Sequence, residues 1–534
     1  MNRIPRAALR VAALAAALTA AAAQDPTSYD LAIVGARVVD GSGNPWYRAD
    51  VYLKGDTIAL IDLGHRSLAT KHTIDGRGLV LSPGFIDIHT HARRAILTIP
   101  TAENYARQGV TTLIEGPDGG SPVPLRPYLE EVAKVKTSVN FGAFIGQGSI
   151  RESVIGPNDR KATPEEMTKM LEITRQGMRD GAFGLSTGLF YVPGTFTPTE
   201  EVTALAKVAG EMGGIHISHM RNEAKDVVKS VNETVAIGEG GGLPTQVTHH
   251  KIIGKGNWGG STETLAAVAA ARVRGVDATI DQYPYTASST GINALLPSWA
   301  QDGGRPATLT RLKDPGLRAR IKAVVVDNIR FDRGGGDPKN IQIASAGFDP
   351  TLAGKNLAQI TAARGVEVTI ENAADTALDI IEKGGASAIF HAINEEDLVR
   401  ILRDPNSMVG SDGEVIRFGV AAPHPRGYGT FVRVLGRYVR ELKVLTLQDA
   451  IRKMTSFPAQ RLGLLDRGLV RPGMKADLVL FDENEIGDRA TFEKPHQYAV
   501  GIKWVLVSGE VVFDGQAMTA ARPGKILKGP SSQW

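Results

Sequence analysis

Eight short apolar runs alternate with amphipathic segments between residues 84 and 413, and this alternation limits the possible folds more than any other feature. The runs are GFIDIHTH (84–91), TTLIEG (111–116), NFGAFIG (140–146), FGLSTG (183–188), GIHISHM (214–220), TQVTHHK (245–251), DATIDQYPY (277–285) and SMVGSDG (407–413). Strands that alternate with crossover helices form a parallel sheet. Eight such units closing on themselves make a (β/α)8 TIM barrel, so the sequence predicts an α/β fold of this class.

Short strand-and-turn patterns occupy both ends of the chain. YDLAIVGARVVDG and ADVYLKGDTIALI lie near the start, and KADLVLFDENE and GIKWVLVSGEVVFDG lie near the end. Neither end supplies enough strands for a stable sheet, so we predict that residues 24–82 and 456–534 form one small β-sandwich together. Residues 83–455 then form the barrel. A subdomain of about residues 290–370, inserted after the seventh strand, is expected to act as a lid or substrate wall.

Residues 1–23 are typical of a signal peptide. Arg3, Arg6 and Arg10 precede an alanine-rich apolar run that ends in small residues before Gln24. This run is too short to span a bilayer comfortably, and no other segment resembles a membrane span. We therefore expect a bacterial periplasmic or secreted protein. Loss of the three arginines lowers the formal net charge from +4 to about +1, so the basic composition does not indicate nucleic-acid binding.

Cysteine is absent, so a transition-metal site would have to use histidine, aspartate and glutamate. In a (β/α)8 barrel, polar residues at the carboxyl ends of the strands line the active site. The candidates at these ends are His89, His91, Glu115, His219, His249 or His250, and Asp412. The chain has eleven histidines, and a chance placement of four of them at three strand ends is a poor alternative. The pattern predicts a metal centre.

The sequence resembles the amidohydrolase superfamily and, within it, the D-aminoacylase (N-acyl-D-amino-acid deacylase) branch. The segments that carry the resemblance are YDLAIVGARVVDGSG, GFIDIHTH, HISHMRNE, THHKIIGKGNWG, DQYPYTASST, GSDGE, HPRGYGTF and RPGKILKG. They extend over nearly the whole chain after residue 23. The resemblance implies a barrel flanked by a split β-sandwich, in agreement with the strand pattern.

The resemblance also implies two groups of metal ligands. His89, His91 and Asp412 would hold one ion, and Glu115, His219 and His249 would hold the other. His249 is preferred to His250 because it is the first histidine of the matching THHK segment. The expected cofactor is one or two Zn²⁺ ions, with other divalent metals as alternatives.

This chain departs from the family pattern at the bridging position. Many superfamily members bridge two metals with a carboxylated lysine on the fourth strand, but FGLSTG contains no lysine. The best-known D-aminoacylases carry a cysteine in a Gly-Asn-Cys-Gly context, where this chain reads LIEGPDGGS. We therefore expect Glu115 to bridge, and a hard carboxylate in place of a thiolate changes the metal preference.

The implied reaction is hydrolysis of the amide bond of an N-acyl amino acid, for which the resemblance implies the D configuration. A Zn²⁺-class ion lowers the pKa of its bound water from 15.7 to about 7 and so supplies a metal-bound hydroxide. Asp412 would take the proton of that water as general base and deliver it to the leaving nitrogen as general acid. The substrate is a small molecule with a free carboxylate, for which the candidate contacts are Tyr191, Lys251, Tyr283, Arg221 and His424.

Two alternatives remain open from the sequence. The first is an amidohydrolase that acts on dipeptides, cyclic amides or amide-linked toxins. The second is a non-catalytic binding protein with the same fold, although the complete ligand set argues against a loss of chemistry. The sequence leaves the stereospecificity, the acyl preference and the oligomeric state open.

Overall fold

A computed structural model of the protein describes residues 28–534. The expected signal peptide, residues 1–23, lies outside the described residues. Within residues 28–534, no helix combines the length and the apolar character that crossing a membrane requires.

Strands and helices alternate along most of the described chain. The strands are β1 (Tyr29–Val38), β2 (Tyr47–Lys54), β3 (Thr57–Asp62), β4 (Thr70–Asp75), β5 (Val80–Pro83), β6 (Phe85–Thr90), β7 (Val110–Glu115), β8 (Asn140–Ala143), β9 (Ile145–Gly146), β10 (Gly184–Gly188), β11 (Ile215–His219), β12 (Thr245–Val247), β13 (Ala278–Gln282), β14 (Ser288–Gly291), β15 (Ile341–Ser345), β16 (Ser387–Phe390), β17 (Ser407–Val409), β18 (Leu478–Phe481), β19 (Ile502–Val507) and β20 (Glu510–Phe513). The α-helices span Glu103–Ala106, Leu125–Val135, Gln147–Ile155, Pro164–Arg179, Thr199–Glu211, Val227–Gly241, Ser261–Val273, Gly304–Lys313, Pro315–Phe331, Leu357–Ala363, Ile370–Lys383, Glu395–Arg403, Arg426–Arg433, Leu447–Met454 and Ser456–Arg461, and a π-helix covers Val434–Glu441.

The eight predicted barrel strands are all present and pair in parallel. The hydrogen-bonded orders are β6-β7-β8 and β9-β10-β11-β12-β13-β17, and β9 continues β8 after a single residue. A parallel bridge between Thr90 and Gly413 joins the end of β6 to the chain that follows β17. The strands are buried on both faces, as expected when helices cover a parallel sheet. The predicted (β/α)8 class is confirmed.

Both chain ends build one β-module, as predicted. Its sheet has the order β20-β19-β18-β5-β1-β2-β3, with β4 paired to β1, and the two ends meet where β5 lies antiparallel to β18. At the other side, Ile58 of β3 exchanges hydrogen bonds with Gly473 and Met474, immediately before β18. The sheet therefore curls back on itself around one apolar core that contains Leu31 and Leu478.

The inserted subdomain extends further than the sequence analysis expected. It contains a three-stranded antiparallel sheet in the order β14-β16-β15, and β16 ends at Phe390 rather than near residue 370. Because β16 is the central strand, the subdomain is incomplete without it. Its own core joins Ile341 and Phe390 to Leu378 of the helix Ile370–Lys383.

Candidate metal centre

His89, His91 and Asp412 meet at the carboxyl end of the barrel strands. His89 lies near the end of β6, His91 follows that strand, and Asp412 follows β17. The Nε2 atom of His91 lies 3.0 Å from Asp412 Oδ1, and the Nε2 atom of His89 lies 3.6 Å from the same oxygen. The two imidazoles therefore converge on one carboxylate oxygen.

His219 and His249 form a second pair beside the first. His219 is the last residue of β11, and His249 follows β12. Their Nδ1 and Nε2 atoms, respectively, lie 2.7 Å apart. His250 faces away, since its Nε2 atom lies 2.8 Å from the Thr264 hydroxyl. The choice of His249 over His250 agrees with this geometry.

Asp118 is shared by both groups, and the sequence analysis missed it. Its Oδ1 atom lies 3.5 Å from His89 Nε2 and 3.3 Å from His249 Nε2. Its Oδ2 atom lies 3.4 Å from His91 Nε2 and 3.6 Å from His219 Nδ1. Each carboxylate oxygen thus faces one imidazole from each group, so Asp118 belongs to both groups of candidate ligands.

The structure does not bring Glu115 into this cluster. Its Oε2 atom accepts a hydrogen bond of 2.9 Å from the backbone N–H of Arg93, and its Oε1 atom lies 3.6 Å from the Arg93 guanidinium. The sequence analysis assigned the bridging role to the last residue of the second strand. The carboxylate among the histidines belongs instead to Asp118, three residues later in the loop. Glu115 contacts Arg93.

The local backbone explains how a loop residue reaches the cluster. Asp118 has φ +57°, in the left-handed region that aspartate tolerates better than most residues. The next residue, Gly119, has φ +75°, and a Cβ atom there would lie 2.7 Å from Gly188 N. The sequence Pro-Asp-Gly-Gly after a strand end was the signal that could have identified this turn. Asp412 (φ +52°) and His249 (φ +33°) share the strained conformation, which is common at functional sites.

Asp281 contacts one histidine from each group, His249 through its backbone and His89 through its ring. Its Oδ1 atom accepts a hydrogen bond of 2.8 Å from the backbone N–H of His249 and lies 3.5 Å from His89 Nδ1. The side-chain amide of Gln246 donates to its Oδ2 atom over 2.6 Å. Outer carboxylates of this kind fix the orientation of metal-binding histidines.

The charges of the cluster suit a bound cation. Burial raises the pKa of the Asp118 carboxyl, but His249 and His89 outweigh this effect and hold the pKa well below its ordinary value. Burial lowers the pKa of His91, yet Asp118 and Asp412 raise it to about 9. Burial lowers the pKa of His219 to about 4, which leaves that ring neutral. The Asp118 carboxylate is therefore ionised. The His91 ring holds a proton, whereas the His219 ring is neutral and free to bind a metal.

Unpaired buried atoms in the cluster indicate that its donor atoms fit a metal ion. Among residues 28–534, His89 Nε2 and Asp118 Oδ1 are buried without a hydrogen-bond partner, although both face the cluster. Buried polar atoms are rarely left unpaired unless a water, ion or ligand satisfies them. Four imidazoles and two carboxylates are ligands that Zn²⁺ and similar divalent ions accept.

The cluster opens into a cavity of about 970 Å³. His91, Asp118 and Asp412 line it, and the inserted subdomain contributes Thr290 and Ser387. The subdomain therefore forms one wall of the cavity, as the sequence predicts.

Arg426 is a second feature that the sequence analysis missed. Its guanidinium is almost fully buried, lines the cavity, and donates to Asp412 Oδ2 over 2.7 Å and to the Ser289 carbonyl over 3.3 Å. The segment HPRGYGTF contains both Arg426 and His424, and only His424 was predicted to contact the substrate. The imidazole of His424 is engaged at both nitrogens, with the Ala287 carbonyl and the Arg426 backbone N–H.

The other predicted substrate contacts divide into two sets. Tyr191 lines the cavity, and its ring centroid lies 4.6 Å from that of His219. Lys251 and Tyr283 are buried beside the cluster, and the Tyr283 hydroxyl has no hydrogen-bond partner in the described chain. The Arg221 guanidinium is instead engaged by Glu233 and by the backbone carbonyls of Thr195 and Thr197.

Comparisons with known proteins agree with the fold and the site. A model of the amidohydrolase family matches residues 72–513. A D-aminoacylase from Alcaligenes xylosoxydans xylosoxydans is 34% identical over 528 residues, which cover 94% of this chain and 98% of that protein. An N-acyl-D-glutamate deacylase from the same organism is 35% identical over 526 residues, which cover 94% and 97%.

A solved structure extends the likeness to three dimensions. It is N-acyl-D-glutamate deacylase from Bordetella bronchiseptica, complexed with zinc and a phosphonate inhibitor that mimics the tetrahedral intermediate of the reaction. It is 33% identical, with a TM-score of 0.80, and the match covers 94% of this chain and all of that one. The chain therefore belongs to the amidohydrolase family.

Proposed function

We propose that this protein is a metal-dependent deacylase that hydrolyses the amide bond of N-acyl-D-amino acids. The observation that carries the proposal is the arrangement at the cavity floor. There, four histidines and two aspartates converge beside the buried guanidinium of Arg426. The cluster suits amide hydrolysis, and the guanidinium suits a substrate that carries a free carboxylate. The names of the similar proteins, a D-aminoacylase and N-acyl-D-glutamate deacylases, support the D configuration.

The ligand assignment follows the two groups of side chains. His89, His91 and Asp412 would hold one divalent ion, and His219 and His249 the other, with Asp118 shared between them. Bound there, an ion such as Zn²⁺ would polarise the amide carbonyl and lower the pKa of water to about 7.

Asp412 is placed to move the proton that amide hydrolysis requires. Burial raises the pKa of its carboxyl, but Arg426 and His91 outweigh this effect and keep the carboxylate ionised. Its Oδ2 atom accepts from Arg426, and its Oδ1 atom, which faces His91, would take a proton from the attacking water. The same oxygen then delivers that proton to the amide nitrogen as the C–N bond breaks. The products are a carboxylate and a free amino acid.

Arg426 and Tyr283 would orient the substrate. A guanidinium presents several parallel donors and pairs well with a carboxylate, so Arg426 can hold the α-carboxylate next to the reacting bond. The Arg426 guanidinium also lies 4.9 Å from the centre of the Tyr283 ring. The unpaired Tyr283 hydroxyl is therefore a nearby donor for the same substrate.

We also propose that the protein is exported, on the basis of residues 1–23. Three arginines followed by an alanine-rich run that ends in small residues match a cleavable signal peptide.

The first prediction concerns Asp412. Asp412→Asn keeps the size of the side chain but removes the proton acceptor, so kcat should fall by about 10²–10⁴-fold. Metal analysis should still find an ion bound by Asp118, His219 and His249. Asp404→Asn, at the opposite end of β17, is the matched control and should keep wild-type activity. A wild-type kcat in Asp412→Asn would remove Asp412 from the reaction.

The second prediction concerns the substrate. In a panel of N-acetyl-D-amino acids, N-acetyl-L-amino acids, dipeptides and cyclic amides, the zinc-loaded protein should favour the D-acyl compounds by about 10–10²-fold. Chelation should abolish turnover, and added Zn²⁺ should restore it. Turnover of a cyclic amide alone would reject the deacylase proposal and favour the alternative amidohydrolase function.

The third prediction concerns export. When the full chain is expressed in a Gram-negative host, the periplasmic protein should begin at Gln24 by mass spectrometry. A protein that keeps Met1 and stays in the cytoplasm would contradict the proposal.

A further inference from the structure

Glu223 is a buried carboxylate that lies behind the second pair of histidines. Its Oε1 atom lies 3.3 Å from His249 Nδ1, and its Oε2 atom lies 3.7 Å from His219 Nε2. The opposite nitrogens of both rings face Asp118. Each imidazole is therefore placed between Asp118 on the cluster side and Glu223 on the far side.

Two buried cations hold Glu223 in this position. The ammonium of Lys251 donates to Oε1, and the guanidinium of Arg333 donates to Oε2 over 3.2 Å. All three side chains are at most 4% exposed. Burial of these three charges costs desolvation free energy, so each charge must be paired.

Arg333 belongs to the inserted subdomain rather than to the barrel. It follows the helix Pro315–Phe331, and its guanidinium lies 4.3 Å from the centre of the Phe190 ring. The Phe190 ring in turn lies 5.7 Å from the ring of His219. The subdomain that forms a wall of the cavity thus also reaches the back of the metal centre.

We propose that Glu223 positions His219 and His249 for metal binding, and that Arg333 couples this positioning to the docking of the inserted subdomain. A histidine that binds a metal through one ring nitrogen usually donates its other N–H to an acceptor, which fixes the tautomer and the ring orientation. Glu223 is the carboxylate that both far nitrogens face, and the Lys251 ammonium that it binds also lies 2.7 Å from His249 Nδ1. The inference rests on the proposed function in one respect, that Asp118, His219 and His249 hold an ion.

A purely structural role for Glu223 is the competing explanation. In that case Glu223 serves only as the counter-ion of Lys251 and Arg333, and its loss changes stability without changing the metal site specifically. The two explanations predict different Zn²⁺ affinities for a Glu223 variant. They also differ in whether the effects of substituting Glu223 and Arg333 add.

Release of Zn²⁺ from the full-length, zinc-loaded protein to a chromophoric chelator separates them. Glu223→Gln should weaken Zn²⁺ binding by about 10–100-fold. Arg333→Met should weaken it in the same direction, and Arg333→Lys should recover part of the loss. The double variant should bind Zn²⁺ no more weakly than Glu223→Gln alone, because Arg333 acts through Glu223.

Arg330→Met is the matched control. Arg330 lies three residues before Arg333 and forms an exposed ion pair of 2.8 Å with Glu371, so its loss should leave Zn²⁺ affinity unchanged. Thermal unfolding of each variant, followed by circular dichroism, separates folding from metal binding. Wild-type Zn²⁺ affinity in Glu223→Gln would overturn the proposal, as would additive effects in the double variant. A wild-type protein that holds Zn²⁺ yet hydrolyses no N-acyl-D-amino acid would defeat the proposed function and leave this comparison intact.

Discussion

The carboxylate of Asp118 is the contact on which the site depends. Its two oxygens each face one histidine from each group, so the rings from β6, β11 and β12 meet at a single side chain. Without it, the two groups would be separate clusters, and the charges on their histidines would lose a common partner. The strained backbone at Asp118 persists because the surrounding strand ends determine the position of the loop.

The fold around this contact was largely predictable from the sequence. Fully buried parallel strands appear as short apolar runs, and four histidines could be placed because each lies at or next to such a run. Asp118 could not be placed by the same rule, since its position depends on a left-handed turn after the strand. Arg221 and Arg426 look equivalent in the sequence. Only the structure shows that the Arg221 guanidinium is bound by Glu233, whereas that of Arg426 lines the cavity. The extent of the inserted subdomain depended on a long-range pairing, that of β16 between β14 and β15, which no local pattern reveals.

Charged residues behind the candidate metal ligands hold the histidines in place. Asp281 holds one histidine of each group, and Glu223 lies behind His219 and His249. Arg333, which belongs to the inserted subdomain, binds Glu223 and so connects the subdomain to these residues. A wholly nitrogen and oxygen donor set favours harder ions than a site with a thiolate.

We propose that Asp118, rather than Glu115, is the residue that two metal ions would share. Crystals of the zinc-loaded protein, measured on both sides of the zinc absorption edge, test it most directly. We expect two anomalous peaks, each about 2.0–2.2 Å from an oxygen of Asp118, with Glu115 still bonded to Arg93. Zinc bound to Glu115, or Asp118 outside the coordination of both ions, would contradict it.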